Sequence, residues 1–187
     1  MKTSKPKIYK KVEDSQVTIS VLMLPSHSNF SGKIHGGYIL SLMDQIAFAC
    51  ASKYSGVYCV TASVDTVDFL NPIEIGELVT MKASINFIGN SSMVVGIRVE
   101  SENIQNGTVK HCNSSYFTMV AKNDLGENVK VPGLIIETEE QIKRFLKSIK
   151  RADEKRNRKK AFGYPKTISE ASLKTLEQYN IKLALKS

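Results

Sequence analysis

One segment constrains the fold of this chain more than any other, a long apolar stretch that follows a Gly-Gly pair and ends at Gly56. Its large apolar residues recur at the spacing of a single helix face. These residues are Ile39, Leu42, Met43, Ile46 and Ala47. Interspersed alanines and the closing glycine are typical of a helix that packs tightly and ends in a left-handed cap. The segment therefore predicts a central helix buried against another layer.

The rest of the first 134 residues has the pattern of β-strands. An alternating run from Gln16 to Pro25 precedes the helix, and three or four β-rich runs follow it. The turn-like segments between the later runs are "NPIEIG", "GNS" and "QNG". Because consecutive strands joined by short turns pair antiparallel, the pattern predicts an α+β fold, with an amphipathic helix lying across one antiparallel sheet.

The composition is typical of a globular protein in a reducing compartment. The 187 residues are 42% hydrophobic and 24% charged, and no apolar run approaches the ~20 residues that a membrane span needs. The N-terminal residues are basic but lack the apolar core of a signal peptide. Three cysteines and three histidines show no metal-ligand spacing. We therefore expect a cytoplasmic protein with free thiols and no metal site.

Basic charge is concentrated after residue 132. Lys and Arg exceed Asp and Glu by one up to Pro132 and by seven from Gly133 onward. An acidic-then-basic segment predicts a helix whose apolar face carries Ile142, Phe145, Leu146 and Ile149. A second short helix is predicted over residues 169–186.

These features predict a domain over residues 1–134, followed by a basic, helical or partly disordered extension over residues 135–187. The basic run is interpreted as a solvated helix face, since charge runs usually are. Binding to nucleic acid or to an acidic membrane is the alternative interpretation.

The Gly-Gly pair offers backbone N–H groups at the start of the central helix. Such a helix end suits an anion or a developing oxyanion. Gly36 and Gly37 could instead serve only to pack the helix closely on the sheet, and the two residues alone favour this second interpretation. No GxSxG elbow, GxGxxG loop or P-loop supplies another catalytic motif.

Asp44 is the only carboxylate inside the predicted central helix. It lies about 12 Å along the helix from Gly36, at about 1.5 Å per residue, so its side chain cannot reach the helix end of its own chain. Two such helices packed antiparallel across a two-fold axis would bring each Asp44 near the other chain's Gly-Gly end. The alternatives are a solvated aspartate and one satisfied by a neighbouring Ser or Thr.

Four motifs resemble, in order, those of the hotdog-fold acyl-CoA thioesterases, and most closely the bacterial acyl-CoA hydrolase group that is similar to the mammalian cytosolic acyl-CoA hydrolases. They are "LPSHSNFSGKIHGGYILSLMDQIAFACASKY", "VTASVDTVDFLNPIEIGELV", "GNSSMVVGIRVE" and "SYFTMVAKNDLGENVKVPGL". The resemblance covers residues 16–134. It implies a curved antiparallel sheet wrapped around a central helix, hydrolysis of acyl-CoA to free CoA and a fatty acid, and dimers that assemble into hexamers.

The resemblance also implies roles for individual residues. Asn29 and the Gly36/Gly37 helix end would come from one subunit and Asp44 from the other, with helix-end amides holding the oxyanion. Asp44 would be the general base, or a nucleophile that forms an anhydride. His35 is interpreted as a capping residue rather than a base. The residues expected to line the pocket or contact CoA are Thr61, His35, Asn90, Ser91, Ser92 and Met93.

One position departs from the family pattern. The family often carries an arginine where this chain has Asn90, so Lys33, Lys122 or the basic extension would have to hold the CoA phosphates. No cofactor beyond the CoA of the substrate is implied, and the expected partners are acyl-CoA and further copies of the chain, without nucleic acid.

Two alternative functions stay open on the resemblance. One is a hotdog dehydratase or hydratase that acts on acyl thioesters, which usually uses a histidine and a carboxylate that these motifs do not reproduce. The other is a non-catalytic acyl-CoA-binding regulator, against which the intact Asp44 argues.

Overall fold

The computed structural model describes residues 8–161, 167–176, 178–179 and 181. The chain divides into two compact units, Met1–Ile149 and Lys150–Ser187. The first unit holds a five-stranded sheet and the long central helix. The second contains the end of one helix and a further short helix.

The main sheet is antiparallel throughout and has the strand order β2-β4-β5-β6-β3. Its strands are β2 (Val17–Leu22), β3 (Tyr58–Val64), β4 (Leu78–Ile88), β5 (Ser92–Asn103) and β6 (Thr108–Lys122). Two short strands, β1 (Tyr9–Lys11) and β7 (Gly133–Ile135), pair in parallel beside it. The predicted antiparallel sheet is confirmed.

Helix α1 (Gly36–Ser55) lies against the inner face of this sheet. The predicted apolar face is buried, and so are Cys50, Ala51 and Tyr54 one to two turns further on. Gly56 closes the helix with φ of 76°, a left-handed conformation that glycine adopts without strain. A curved sheet around a buried helix is the hotdog arrangement that the motifs implied.

The pairing of β3 differs from the prediction. Consecutive strands pair for β4–β5 and β5–β6, but β3 pairs with β6 at the sheet edge and not with β4. The β-rich run after α1 stops at Val64, and residues 65–70 continue along β6 without forming a ladder. Their backbone is held there by hydrogen bonds from Asp65 N to Tyr116 O and from Leu70 N to Cys112 O. The connection is therefore a crossover beneath the helix end, not a hairpin.

The C-terminal region contains α2 (Glu139–Ala161) and α3 (Glu170–Leu176). Phe145 packs against Phe87 of β4, with ring centroids 5.0 Å apart, while the other three apolar residues predicted on its face are exposed in the protomer. The second predicted helix is described as α3, and the rest of that prediction lies partly outside the described residues. Within the part of the chain that the structure describes, no helix is both long and apolar enough to cross a membrane.

A buried ion pair holds the turn that leads into β4. Glu77 is only 6% exposed, and its carboxylate accepts hydrogen bonds from the Glu74 backbone N–H and from Ser101, and pairs with Lys110 at 2.8 Å. Burial alone would raise the pKa of Glu77, but these three donors outweigh it and hold the pKa below its ordinary value of 4.5. The ionised carboxylate therefore stabilises the fold.

We predict that Glu77→Gln lowers the free energy of unfolding by about 2 kcal/mol or more, because it leaves Lys110 without its anionic partner. Since the pKa of Glu77 is depressed in the folded state, its contribution is complete above about pH 4.5 and is lost as the pH falls further. Urea unfolding between pH 3 and pH 7 measures both effects. Glu102→Gln on β5, next to Ser101, is the matched control, and an equal loss of unfolding free energy in both variants would contradict the assignment.

Candidate active site

Asp44 lies on the exposed side of α1, and one threonine hydroxyl orients its carboxylate. Thr61 Oγ1 on the edge strand β3 donates a hydrogen bond of 2.6 Å to Asp44 Oδ1. A register irregularity in β3 follows directly after Thr61. No hydrogen bond to Asp44 Oδ2 is present within the described part of the chain, so this oxygen is available to accept a proton.

The sheet places the Asp44–Thr61 pair close to the turn between β4 and β5. Thr61 of β3 is opposite Met119 of β6, and Met119 is opposite Met93 of β5. These three residues form one row across adjacent strands that are about 4.8 Å apart. The predicted contact residues Thr61 and Met93 therefore belong to the same region of one protomer, although the Met93 side chain is fully buried in the core.

The turn itself presents polar side chains without partners. The carbonyl of Asn90 accepts a hydrogen bond from Val131 N, and the carbonyl of Ser91 accepts one from Ala121 N, so the backbone is fixed. The side chains of Asn90, Ser91 and Ser92 make no hydrogen bond to any other described residue. They are free to contact a ligand that lies beside Thr61.

Asn29 organises the loop that precedes α1. Its Oδ1 accepts hydrogen bonds from Ser31 N at 2.9 Å, Ser31 Oγ at 2.7 Å and Lys33 N at 3.2 Å. Backbone N–H groups only donate, so the atom facing them is the carbonyl oxygen of the amide. The Asn29 Nδ2 group has no partner within the described residues. Asn29 can therefore offer hydrogen-bond donors to a ligand but has no free acceptor.

The two glycines at the helix start are not equivalent. His35 is the N-cap of α1, and its Nδ1 accepts a hydrogen bond of 2.9 Å from Gly37 N, as expected for a capping residue. The amides of Tyr38 and Ile39 bond to the His35 carbonyl. Among the first-turn amides, the N–H of Gly36 is thus the one without an acceptor in the described part of the chain. A ligand oxygen at this helix end would bind Gly36 N–H.

An aromatic side chain that the sequence analysis did not single out covers Gly36. A Cβ atom on Gly36 would lie 3.2 Å from the Phe69 ring, tighter than ordinary van der Waals contact. Asn113 Nδ2 donates to the Asp68 carbonyl and fixes the loop that carries Phe69. The only sequence signal for this contact is an aromatic residue within a β-rich run. Gly36 therefore allows close packing against a loop, not against the sheet.

The structure separates the predicted site residues into two groups. Asp44 and Thr61 lie beside the Asn90–Ser92 turn, whereas Asn29 and Gly36 lie at the N-terminal end of α1, about 12 Å from Asp44 along the helix. A single protomer does not bring these groups together. The helix surface between them is open, with exposed side chains at Ser41, Asp44, Gln45 and Phe48.

Both lysines considered as phosphate ligands are engaged within the protomer. Lys33 pairs with Glu74, and Lys122 Nζ donates to the Gly126 carbonyl at 3.0 Å. Lys130 is different, because it is exposed and has no partner among the described residues, while the adjacent Val131 bonds to Asn90 of the β4–β5 turn. Among the described side chains, no cluster of three or more His, Cys, Asp or Glu could hold a metal ion.

Comparison with known proteins relates this arrangement to one family. The family profile of the thioesterase superfamily matches residues 31–108. Protein VdlD of Helicobacter pylori is 41% identical over 139 residues, which cover 74% of this chain and 79% of VdlD. The uncharacterized acyl-CoA thioester hydrolase YkhA of Bacillus subtilis is 34% identical over 148 residues, covering 79% of this chain and 86% of YkhA.

Solved structures agree with the sequence relatives. The acyl-CoA hydrolase of Staphylococcus aureus, in complex with butyryl-CoA, CoA and CoA disulfide, has the same fold with a TM-score of 0.75 at 28% identity. The likeness covers 91% of this chain and 98% of that one. The family profile, the sequence relatives and the solved structures all indicate the same family, and the sheet wrapped around α1 has its fold. This chain therefore belongs to the thioesterase superfamily of hotdog-fold proteins.

Proposed function

We propose that this protein is an acyl-CoA thioesterase, which hydrolyses acyl-CoA to free CoA and a carboxylic acid. The names of its relatives support this activity, as does the S. aureus hydrolase that binds butyryl-CoA. The observation that carries the proposal is that each protomer holds a carboxylate and, at a separate point, two hydrogen-bond donors that have no acceptor among the described residues. Asp44 with Thr61 can activate water, and Gly36 N–H with Asn29 Nδ2 can stabilise an oxyanion.

The proposed reaction begins with a water molecule held by Asp44 Oδ2, because Oδ1 is occupied by Thr61. Asp44 takes one proton from the water, and the resulting hydroxide attacks the thioester carbon. The carbonyl oxygen becomes an oxyanion that Gly36 N–H and Asn29 Nδ2 stabilise. The C–S bond then breaks, and the proton on Asp44 passes to the CoA thiolate. Direct attack by Asp44 to form an anhydride is the second route compatible with these residues.

We propose further that the active site is shared between two protomers related by a two-fold axis. Antiparallel packing of two α1 helices would place Asp44 of one chain near Gly36 of the other. The exposed ring pair Phe48–Tyr58, with centroids 5.5 Å apart, and the free edge of β3 supply an apolar surface for this contact. A hexameric acyl-CoA thioesterase, 32% identical with a TM-score of 0.79, supports assembly into a trimer of dimers.

The CoA arm is proposed to lie along the β4–β5 turn, where the Asn90, Ser91 and Ser92 side chains are unpaired. Lys130 is the proposed phosphate ligand, since it adjoins this turn and pairs with no carboxylate within the described part of the chain. It would thus supply the charge that Asn90 cannot.

The proposed catalytic domain covers residues 1–134, and residues 135–187 form an extension, because every proposed site residue lies between positions 29 and 131. We also propose a cytoplasmic location. A rat relative that is 34% identical is named as a cytosolic acyl-CoA thioester hydrolase, although this chain spans only 36% of its length.

We predict that Asp44→Asn keeps the fold and acyl-CoA binding but lowers kcat by about 100-fold or more, because the amide cannot accept the proton from water. The measurement is release of free thiol from short-, medium- and long-chain acyl-CoAs. Asp124→Asn, at an exposed turn, is the matched control. Wild-type turnover in Asp44→Asn would contradict the mechanism, and binding without turnover in the wild type would favour a regulator.

For Lys130→Ala we expect the KM for acyl-CoA to rise about tenfold with kcat nearly unchanged, because one charge-assisted contact to phosphate is lost. Replacing Lys122 by alanine serves as the control, since that lysine is bonded to the Gly126 carbonyl. With an acyl-pantetheine substrate, which lacks the nucleotide phosphates, the KM values of the two variants should differ less. The same KM for wild type and Lys130→Ala would refute this placement of CoA.

A further inference from the structure

A second cleft lies on the outer face of the sheet, on the side opposite α1. Its volume is about 600 Å³, within the range usual for small-molecule sites. The floor is formed by outward-facing residues of β2, β4, β5 and β6, and one wall by the first turns of α2. Asp44 and Thr61 lie at the inner face with α1, so the cleft and the candidate active site are on opposite sides of the same strands.

The strand register fixes the floor of this cleft. One row across the sheet contains Thr18, Lys82, Arg98 and Ser114, which are consecutive partners on β2, β4, β5 and β6. A second row contains Ser84, Gly96 and Tyr116. Packing of Phe145 on Phe87 seats α2 beside these rows. The floor is thus built from paired strands of the main sheet.

A buried amide with an unpaired donor group lines the cleft. Asn86 sits at a register irregularity in β4 and is only 7% exposed. Its side chain lies over Gly96, and a Cβ atom there would overlap with the amide. Its only hydrogen bond within the described residues joins Oδ1 to Ser84 Oγ at 3.3 Å, so the Nδ2 group is left without a partner. The Nδ2 group lines the cleft, where an acceptor on a bound ligand would pair with it.

Cationic groups surround this amide. The lining residues Lys82, Arg98, Lys143, Arg144 and Lys147 all carry positive charge. Three carboxylates pair with four of them.

On the sheet, Lys82 and Arg98 both pair with Glu100. On α2, Lys143 pairs with Glu139 and Arg144 pairs with Glu140. Glu140 also lines the cleft. Lys147 has no partner among the described residues. The hydrogen bonds from Lys82 and Arg98 lower the pKa of Glu100 to about 2, which reflects a strongly positive surrounding.

These groups specify the chemistry of a ligand. The Lys143–Glu139 and Arg144–Glu140 pairs are exposed, and exposed ion pairs contribute little free energy, so a ligand can replace these two carboxylates at modest cost. Arginine and lysine bind phosphate oxygens through charge-assisted hydrogen bonds, and the Asn86 amide adds a neutral donor at the floor. The side chains that line the cleft offer more hydrogen-bond donors than acceptors. This favours a ligand that carries an oxyanion with several oxygens.

We propose that this outer cleft binds a phosphate-bearing small molecule, independently of acyl-CoA at the active site. The ligand's phosphate groups contact Arg98, Lys147 and Asn86 Nδ2.

The test is binding of inorganic pyrophosphate to the full-length protein by calorimetry at constant ionic strength, which keeps electrostatic screening equal. We expect one site per chain, with affinity about tenfold weaker in Arg98→Gln and in Lys147→Gln. Asn86→Ala should also weaken binding, because it removes the amide donor at the floor of the cleft. Lys174→Gln, an exposed lysine of α3 that does not line the cleft, is the matched control and should bind like the wild type.

Several results would overturn the proposal. One is the absence of pyrophosphate binding, and another is binding that survives in both cleft variants but disappears in Lys130→Ala. Tight binding only of adenosine 3′,5′-bisphosphate, with displacement by acyl-CoA, would assign the cleft to the substrate. A change of oligomeric state in Lys147→Gln would assign it to a second copy of the chain. Because Asp44→Asn should bind pyrophosphate normally, these outcomes are independent of the proposed thioesterase mechanism.

Discussion

The burial of α1 against a curved sheet determines the organisation of this protein. One face of the helix fills the core, so its remaining residues must face the surface or another chain. That geometry places Asp44 on the open face, fixed by Thr61 from the edge strand β3. It also leaves Gly36 N–H at the helix end without an acceptor among the described residues. The length of the helix then keeps the carboxylate and the free amide about 12 Å apart.

The proposed catalysis therefore depends on an intermolecular arrangement. In this proposal each protomer contributes a base with its orienting hydroxyl and, at a separate point, a pair of hydrogen-bond donors. His35 accepts the hydrogen bond of Gly37 N–H, and Asn29 Oδ1 accepts three hydrogen bonds. At this helix end, the donor groups left without an acceptor among the described residues are Gly36 N–H and Asn29 Nδ2. Under the proposal, two copies packed antiparallel would combine these two groups into complete sites.

The sequence was sufficient to predict the fold, the buried helix face and the thioesterase family, all of which are confirmed. Helix periodicity and strand alternation are local sequence signals, and the structure contains the helix and the strands that they predict. The β3–β6 pairing was missed because short-range turn signals do not report a crossover. The Phe69 contact with Gly36 and the Lys130 position beside Asn90 were also missed, since each depends on residues far apart in the chain. The catalytic and substrate-binding assignments remain predictions.

The shared site is tested most directly by mixing two inactive variants, Asp44→Ala and Asn29→Ala, after reversible dissociation of the subunits. In a mixed dimer, one site combines the intact Asn29 of the first variant with the intact Asp44 of the second. Random reassociation should thus restore roughly a quarter of the wild-type acyl-CoA hydrolysis, since half of the dimers are mixed and each has one intact site. If the mixture stays as inactive as its parents although subunits exchange, the active site does not span two chains.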